Sequence, residues 1–183
     1  MNFVFQHGIS NPRFRFRNNA GIGNTALGYE THLRGLGDLD LFTSCTHVYI
    51  HFVWRTWDSL PIILPEWEQQ VYACIGKGCT DLKCSPIAIN GMPDHIHALV
   101  RMHSTISVAD LAKQMKGDSS HFINHVILPE AHFQWQRTYG AFSVNPDGVD
   151  AVEQYIHNQK GHHAGGTLAE EWEKSWIEHE AGS

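Results

Sequence analysis

No apolar run in the chain approaches the ~20 residues needed to cross a bilayer, and the N-terminus lacks the apolar centre of a signal peptide. These absences exclude a helical membrane protein and predict a cytoplasmic location with no membrane partner. Cysteine is scarce too. Cys45, Cys74, Cys79 and Cys84 are the only four in 183 residues, and they form no disulfide lattice over the chain. The C-x4-C-x4-C spacing of the last three matches no common zinc module, so reduced thiols are expected. Positive charge is also in short supply: 13 Lys and Arg against 19 Asp and Glu leave a net −6. That balance argues against a broad electrostatic grip on nucleic acid but leaves room for a local basic groove. Residues 1–40 lack any sustained period of 3.6 or 2, and read as a weakly ordered extension.

Histidine, by contrast, is abundant, with 14 copies beside six tryptophans. The compact pattern begins near Cys45. "CTHVYIHFVWRTW" is β-branched and aromatic, as a strand requires. Pro65 and Glu66 open a helix through "EWEQQVYACIGKG", with Trp67, Val71 and Tyr72 at helical spacing. "KCSPIAING" reads as a second strand and "DHIHALVRMH" as a third, separated by a turn at Gly91–Pro93. Ser107 is placed to cap a helix whose apolar face is Val108, Leu111, Ala112, Met115, Phe122, Ile123 and Val126, with Gly117 as an interruption. "AHFQWQRTYGAFSV" is the fourth strand region, with a bulge or bend at Gly140. Asn145 then caps a helix that has Pro146 at its first position and runs to Gly161.

In order, the elements are β-α-β-β-α-β plus one helix. This predicts an α+β, ferredoxin-like (split βαβ) antiparallel sheet with helices on one face. The additional C-terminal helix is the natural element to approach the other face. Three regions follow: an extension over 1–40, a domain over 41–165 and an acidic tail over 166–183. Leu168, Trp172 and Trp176 are spaced for a short amphipathic helix in that tail, which shows no chemistry.

Within "GMPDHIHALV", His95 and His97 are two apart in a strand. Both imidazoles therefore project to one face, away from Ile96, Ala98 and Val100. Such a pair suits a metal, and it equally suits two buried structural histidines. Tyr155 and Gln159 are four apart on the final helix and share a face. Val149, Val152 and Ile156 supply its packing stripe, and Tyr155 could be a core ring at its edge. A phenol is a poor nucleophile at its free pKa of ~10, yet it forms a stable bond to phosphorus when the phosphate is held and its charge neutralised. Two imidazoles and an amide oxygen could form a three-ligand site for that purpose.

"PDHIHALV" resembles the HUH motif (histidine, bulky apolar, histidine) of single-tyrosine HUH transposases of the insertion sequence 200/605 type. "KGDSSHFIN", "FQWQRTYGAFSV" and "YIHNQKGHH" resemble further blocks of that family in the same order, over roughly residues 45–170. The resemblance implies an enzyme that excises and inserts single-stranded DNA and recognises a hairpin at the element's end. Its tyrosine attacks a phosphodiester, forms a 5′-phosphotyrosine link and frees a 3′-OH. Carried onto this chain, Tyr155 is the nucleophile, and His95, His97 and Gln159 bind Mg²⁺ or Mn²⁺. Such proteins form homodimers in which the tyrosine helix acts in cis or in trans. Two imidazoles suit manganese better than magnesium on grounds of softness.

Lys113, Lys116 and Arg137 are the basic residues nearest these blocks and are candidate DNA contacts. Trp135 and Tyr139 could stack on bases, with core packing the expected role for Trp135. Tyr139 is the rival nucleophile, without a ligand companion at helical spacing. His162 and His163 are expected to meet solvent or the DNA backbone, and His47 and His51 to be structural. Asp94 falls on the face opposite the histidines, which argues against a supporting role. Two other functions fit the same elements: a noncatalytic single-stranded nucleic-acid-binding module, and a metal-dependent phosphodiesterase that activates water.

Overall fold

The computed structural model describes residues 45–130 and 132–173, so the expectations for residues 1–40 and for Trp176 lie outside the described residues. Six elements build the core: β1 (Tyr49–Arg55), α1 (Glu68–Asp81), β2 (Ser85–Met92), β3 (His95–Arg101), α2 (Val108–Phe122) and β4 (Gly140–Val144). The strands lie in the order β2-β3-β1-β4 with every neighbouring pair antiparallel. That is the ferredoxin-like, split-βαβ arrangement expected from the order of elements. No helix among the described residues is long and apolar enough to cross a membrane.

β1 and β3 are central, and both faces of each are covered. Phe52, Trp54, Ile96, Ala98 and Val100 pack with Val71 and Ile75 of α1 and Leu111 and Met115 of α2. The alternate residues face the other way, where Leu99 meets Val152, Tyr155 and Ile156 of α3 (Val149–His157). This two-sided burial explains why the β3 sequence is almost continuously apolar, and it buries the histidine face against the last helix. Each large side chain so buried contributes about 1.5–3 kcal/mol.

Ser107 caps α2 as expected, its hydroxyl accepting from the Asp110 amide. Gly117 does not interrupt that helix; it faces open space, and the helix runs on into a π turn at Ile123–Ile127. The fourth strand is shorter than its sequence suggests. Gly140 is simply its first residue, opposite Val53, and residues 133–139 form a loop tied to β1 by a bridge between Trp135 and Thr56. Trp135 is indeed core, its indole nitrogen donating to Ser119 Oγ at 3.0 Å.

The final helix differs most from the expectation. Pro146–Gly148 form a 3-10 turn, α3 ends at His157, and α4 (Gln159–Gly165) begins after a break at Asn158 (φ −96°, ψ 20°). Asn90 of β2 helps to end α3, donating from Nδ2 to the carbonyls of Ile156 at 2.9 Å and His157 at 3.1 Å. It satisfies acceptors that a helix end leaves open. The Asn158 side chain lies against Gly161, where a Cβ would stand 2.4 Å from Asn158 Oδ1. The glycine leaves room for that side chain. A four-residue helix, α5 (Glu170–Glu173), follows.

Candidate metal and tyrosine site

β3 delivers His95 and His97 to one face as the strand period requires, and both rings are buried, their centroids 5.2 Å apart. Each imidazole is held from behind. His95 Nδ1 lies 2.7 Å from Asp94 Oδ1, and Asp94 Oδ2 accepts from Arg55 Nη1 at 2.8 Å. An N–H on Nδ1 donating to that carboxylate leaves the Nε2 lone pair facing the site. Asp94 therefore supports His95 directly, against the expectation from strand parity: it precedes the strand, where alternation no longer governs its direction. His97 Nδ1 lies 2.9 Å from His51 Nε2, and the two rings stack at 5.1 Å. His51 shares the face because it sits on the neighbouring central strand, two residues from Val53, the partner of His97. His47 remains near the exposed start of the sheet.

Burial above all holds the His51 and His97 pair neutral at physiological pH. Burial, then the neighbouring His97, pushes His51 down to about 3. Burial pushes His97 down to about 4, against the opposing hydrogen bond with Glu173. A neutral imidazole keeps the lone pair a metal needs.

Tyr155 and Gln159 reach the same cluster although Asn158 breaks the helix between them. The Tyr155 and His97 ring centroids are 6.0 Å apart. Gln159 is fully buried, with its Nε2 3.0 Å from His97 Nε2 and 3.1 Å from His163 Nε2. One chain by itself thus brings all four expected residues together. Tyr139 packs instead on Phe52 across the sheet, with Lys116 Nζ 5.8 Å from its ring.

Glu173 was invisible as a site residue in the sequence. It is 3% exposed and lies among all of these groups. Its Oε1 accepts from Tyr155 Oη at 2.8 Å and from Gln159 Nε2 at 2.7 Å, and lies 3.3 Å from His97 Nε2. Its Oε2 lies 3.5 Å from His95 Nε2 and 3.8 Å from His163 Nε2. Burial alone would raise this carboxyl; its hydrogen bonds with His97 and Tyr155 hold it well below the usual carboxylate range. Burial and the carboxylate together push the Tyr155 phenol up to about 12, although the Ala169 amide donating to its oxygen opposes them. No spacing rule joins residue 173 to this cluster; a turn and an irregular segment carry it there. His163 also faces the site, whereas His162 stacks on Tyr155 at 4.7 Å.

The residues present fit a divalent cation. His95 Nε2 and Gln159 Oε1 are buried acceptors with no hydrogen-bond partner. His95, His97 and Glu173 offer ligand atoms that all lie within 4.8 Å of one another. Gln159 presents its amide nitrogen to the imidazoles here, and half a turn of that amide would present the oxygen.

Lys113, Lys116 and Arg137 come together on the other side of the sheet, around a groove of about 410 Å³ between α2 and the 134–139 loop that Trp135 and Tyr139 also line. Lys116 Nζ donates to the carbonyls of Gln136, Arg137 and Thr138 at 2.6, 3.1 and 3.0 Å. Its amine ties that loop to α2.

No curated protein matches the sequence. Two solved structures share the fold. One, from Deinococcus radiodurans and assigned as a transposase, has a TM-score of 0.51 at 21% identity over 69% of this chain and 96% of its own. The other, a REP-associated tyrosine transposase bound to a REP hairpin, has a TM-score of 0.51 at 14% identity over 67% of this chain and 73% of its own. The family model for IS200-like transposases matches residues 44–159, more than half of the chain, and the protein belongs to that family.

Proposed function

We propose that this protein is a metal-dependent, single-stranded DNA transposase that cuts and rejoins DNA through a 5′-phosphotyrosine link at Tyr155. The observation that carries the reading is the convergence of Tyr155 and Gln159 with His95 and His97 in one buried cluster. His95, His97 and Gln159 would hold Mg²⁺ or, better suited to two imidazoles, Mn²⁺. Such a cation would supply Lewis-acid stabilisation of the phosphate charge, worth several kcal/mol.

The chain's own residues account for the rest of the step. The Tyr155 oxygen attacks phosphorus, the bond from phosphorus to the 3′ oxygen breaks, the phenol gives up its proton and the departing 3′ oxygen takes one up. One phosphodiester is exchanged for another, so rejoining needs no external energy source. Asp94 and His51 keep the two imidazoles oriented throughout. The phenol is covered by Ala169, Trp172 and Glu173, so the scissile phosphate enters only when that short segment moves.

The solved relative bound to a REP hairpin supports a hairpin as the DNA recognised. Lys113 and Arg137 in the groove along α2 are the proposed backbone contacts, with Trp135 buried behind them and Lys116 shaping the loop. This is the local basic groove that an acidic chain still allows. A homodimer belongs to the same proposal.

The test is a denaturing gel after incubation of the protein with hairpin-bearing single-stranded DNA and Mn²⁺. A covalent protein–DNA adduct should form, and it should fall by about a thousandfold or more in Tyr155→Phe and in His95→Ala. Cleavage without an adduct would instead favour a water-using phosphodiesterase, and binding without cleavage a noncatalytic module.

A further inference from the structure

We infer that Glu173 is a fourth, exchangeable ligand of the metal: its carboxylate completes the site in the DNA-free protein and yields its place to the substrate phosphate. The inference rests on the proposed metal-dependent cleavage at Tyr155. Three observations support it. The carboxylate is 97% removed from solvent in the midst of two imidazoles, with one oxygen toward each. A buried anion in that position calls for a cation, and the Tyr155 and Gln159 groups that donate to it carry no charge. His95 Nε2 and Gln159 Oε1 are buried acceptors with no donor to satisfy them. A carboxylate, two imidazoles and an amide oxygen make an oxygen- and nitrogen-rich set of the kind Mn²⁺ accepts.

The exchange follows from where the same carboxylate points. Its Oε1 accepts the phenolic hydrogen of Tyr155 at 2.8 Å, so it stands beside the nucleophile where a scissile phosphate must stand. Both are anions offering oxygen to a metal and to the phenol, and the two cannot occupy one place. The segment that brings Glu173 is a short one, α5. Trp172 packs edge-on against His51 and Tyr155, and Arg55 Nη2 lies 3.4 Å from the Glu173 carbonyl. Moving it exposes the nucleophile and opens the coordination position together.

Mn²⁺ binding to the full-length, DNA-free protein, followed by electron paramagnetic resonance, tests the ligand role. Glu173→Gln should weaken Mn²⁺ binding about tenfold or more, and His97→Ala, the reference for loss of a ligand, should do so as well. In a Tyr155→Phe background that cannot cut, the loss of Mn²⁺ affinity caused by Glu173→Gln should shrink when hairpin DNA is bound, because the phosphate then supplies the oxygen. Unchanged Mn²⁺ affinity in Glu173→Gln would overturn the ligand assignment. An affinity loss that is as large with DNA bound as without it would overturn the exchange. Failure of the wild-type protein to form any adduct would sink the cleavage reading alone, since the Mn²⁺ titration reads the ligand role without DNA.

Discussion

At the scale of single residues, the site is organised by what stands behind each imidazole. Asp94 and His51 touch neither Tyr155 nor Gln159 by any hydrogen bond in the site, yet each orients its histidine, and the Asp94 carboxylate, which can only accept, draws the His95 proton to Nδ1. Asp94→Asn keeps the shape but gives up the charge that orients His95, and it also weakens the pairing with Arg55. Mn²⁺ affinity should drop about 10- to 100-fold, as for loss of such supporting partners elsewhere, and a Mn²⁺ titration of the variant measures it. The fold should survive, because Asp94 is only partly buried and its backbone carbonyl, which accepts from the Thr56 amide at 2.9 Å, is untouched.

At the scale of elements, the tight hairpin between β2 and β3 sets the starting register of the histidine strand. Gly91 faces Ile96 across the ladder, and a Cβ there would fall 2.2 Å from the His95 carbonyl oxygen and 3.1 Å from Ile96 Cα. Both are backbone atoms of the histidine strand and cannot swing aside as a side chain would. Gly91→Ala should therefore destabilise the protein by about 1–3 kcal/mol. A thermal melt should show a fall of several degrees, at roughly 2–4 °C per kcal/mol for a chain of this size. Gly117→Ala is the control: its added methyl meets nothing, and alanine is the better helix former by about 1 kcal/mol, so its melt should not fall.

At the scale of the whole molecule, the buried histidines make stability depend on pH. His51 and His97 have folded values of about 3 and 4, below the 6.5 of an exposed imidazole. Between these limits the unfolded chain binds more protons than the folded one, so stability is complete above about pH 6.5 and is lost as the pH falls toward 4. From pH 7 to pH 5 the loss is on the order of 2 kcal/mol per imidazole. Glu173 and Asp94, both held below the usual carboxylate range, extend the loss in the same direction at lower pH. The melting temperature of the metal-free protein, followed by circular dichroism, should fall from pH 7 to pH 5. A flat profile would mean that the pair is already protonated in the fold.

Much of this arrangement could be read from the letters alone. Alternation in "DHIHALV" placed His95 and His97 on one face and Ile96, Ala98 and Val100 on the other, because strand parity is a local property. The order of six short elements determined a ferredoxin-like sheet, and four ordered blocks of residues pointed to the family before any coordinate was known. Tyr155 and Gln159 were legible as a pair at helical spacing, although the break at Asn158 was not, since Asn90 and the packing at Gly161 that accompany it come from tertiary contacts. Only the tertiary structure decided the supporting cast. His51 enters through strand pairing, Asp94 through the turn that precedes β3, and Glu173 through an irregular segment folded back across the sheet. None of these is a repeat or a spacing in the chain. Local periodicity fixes which way a side chain points, but which distant side chains meet it depends on how whole elements pack.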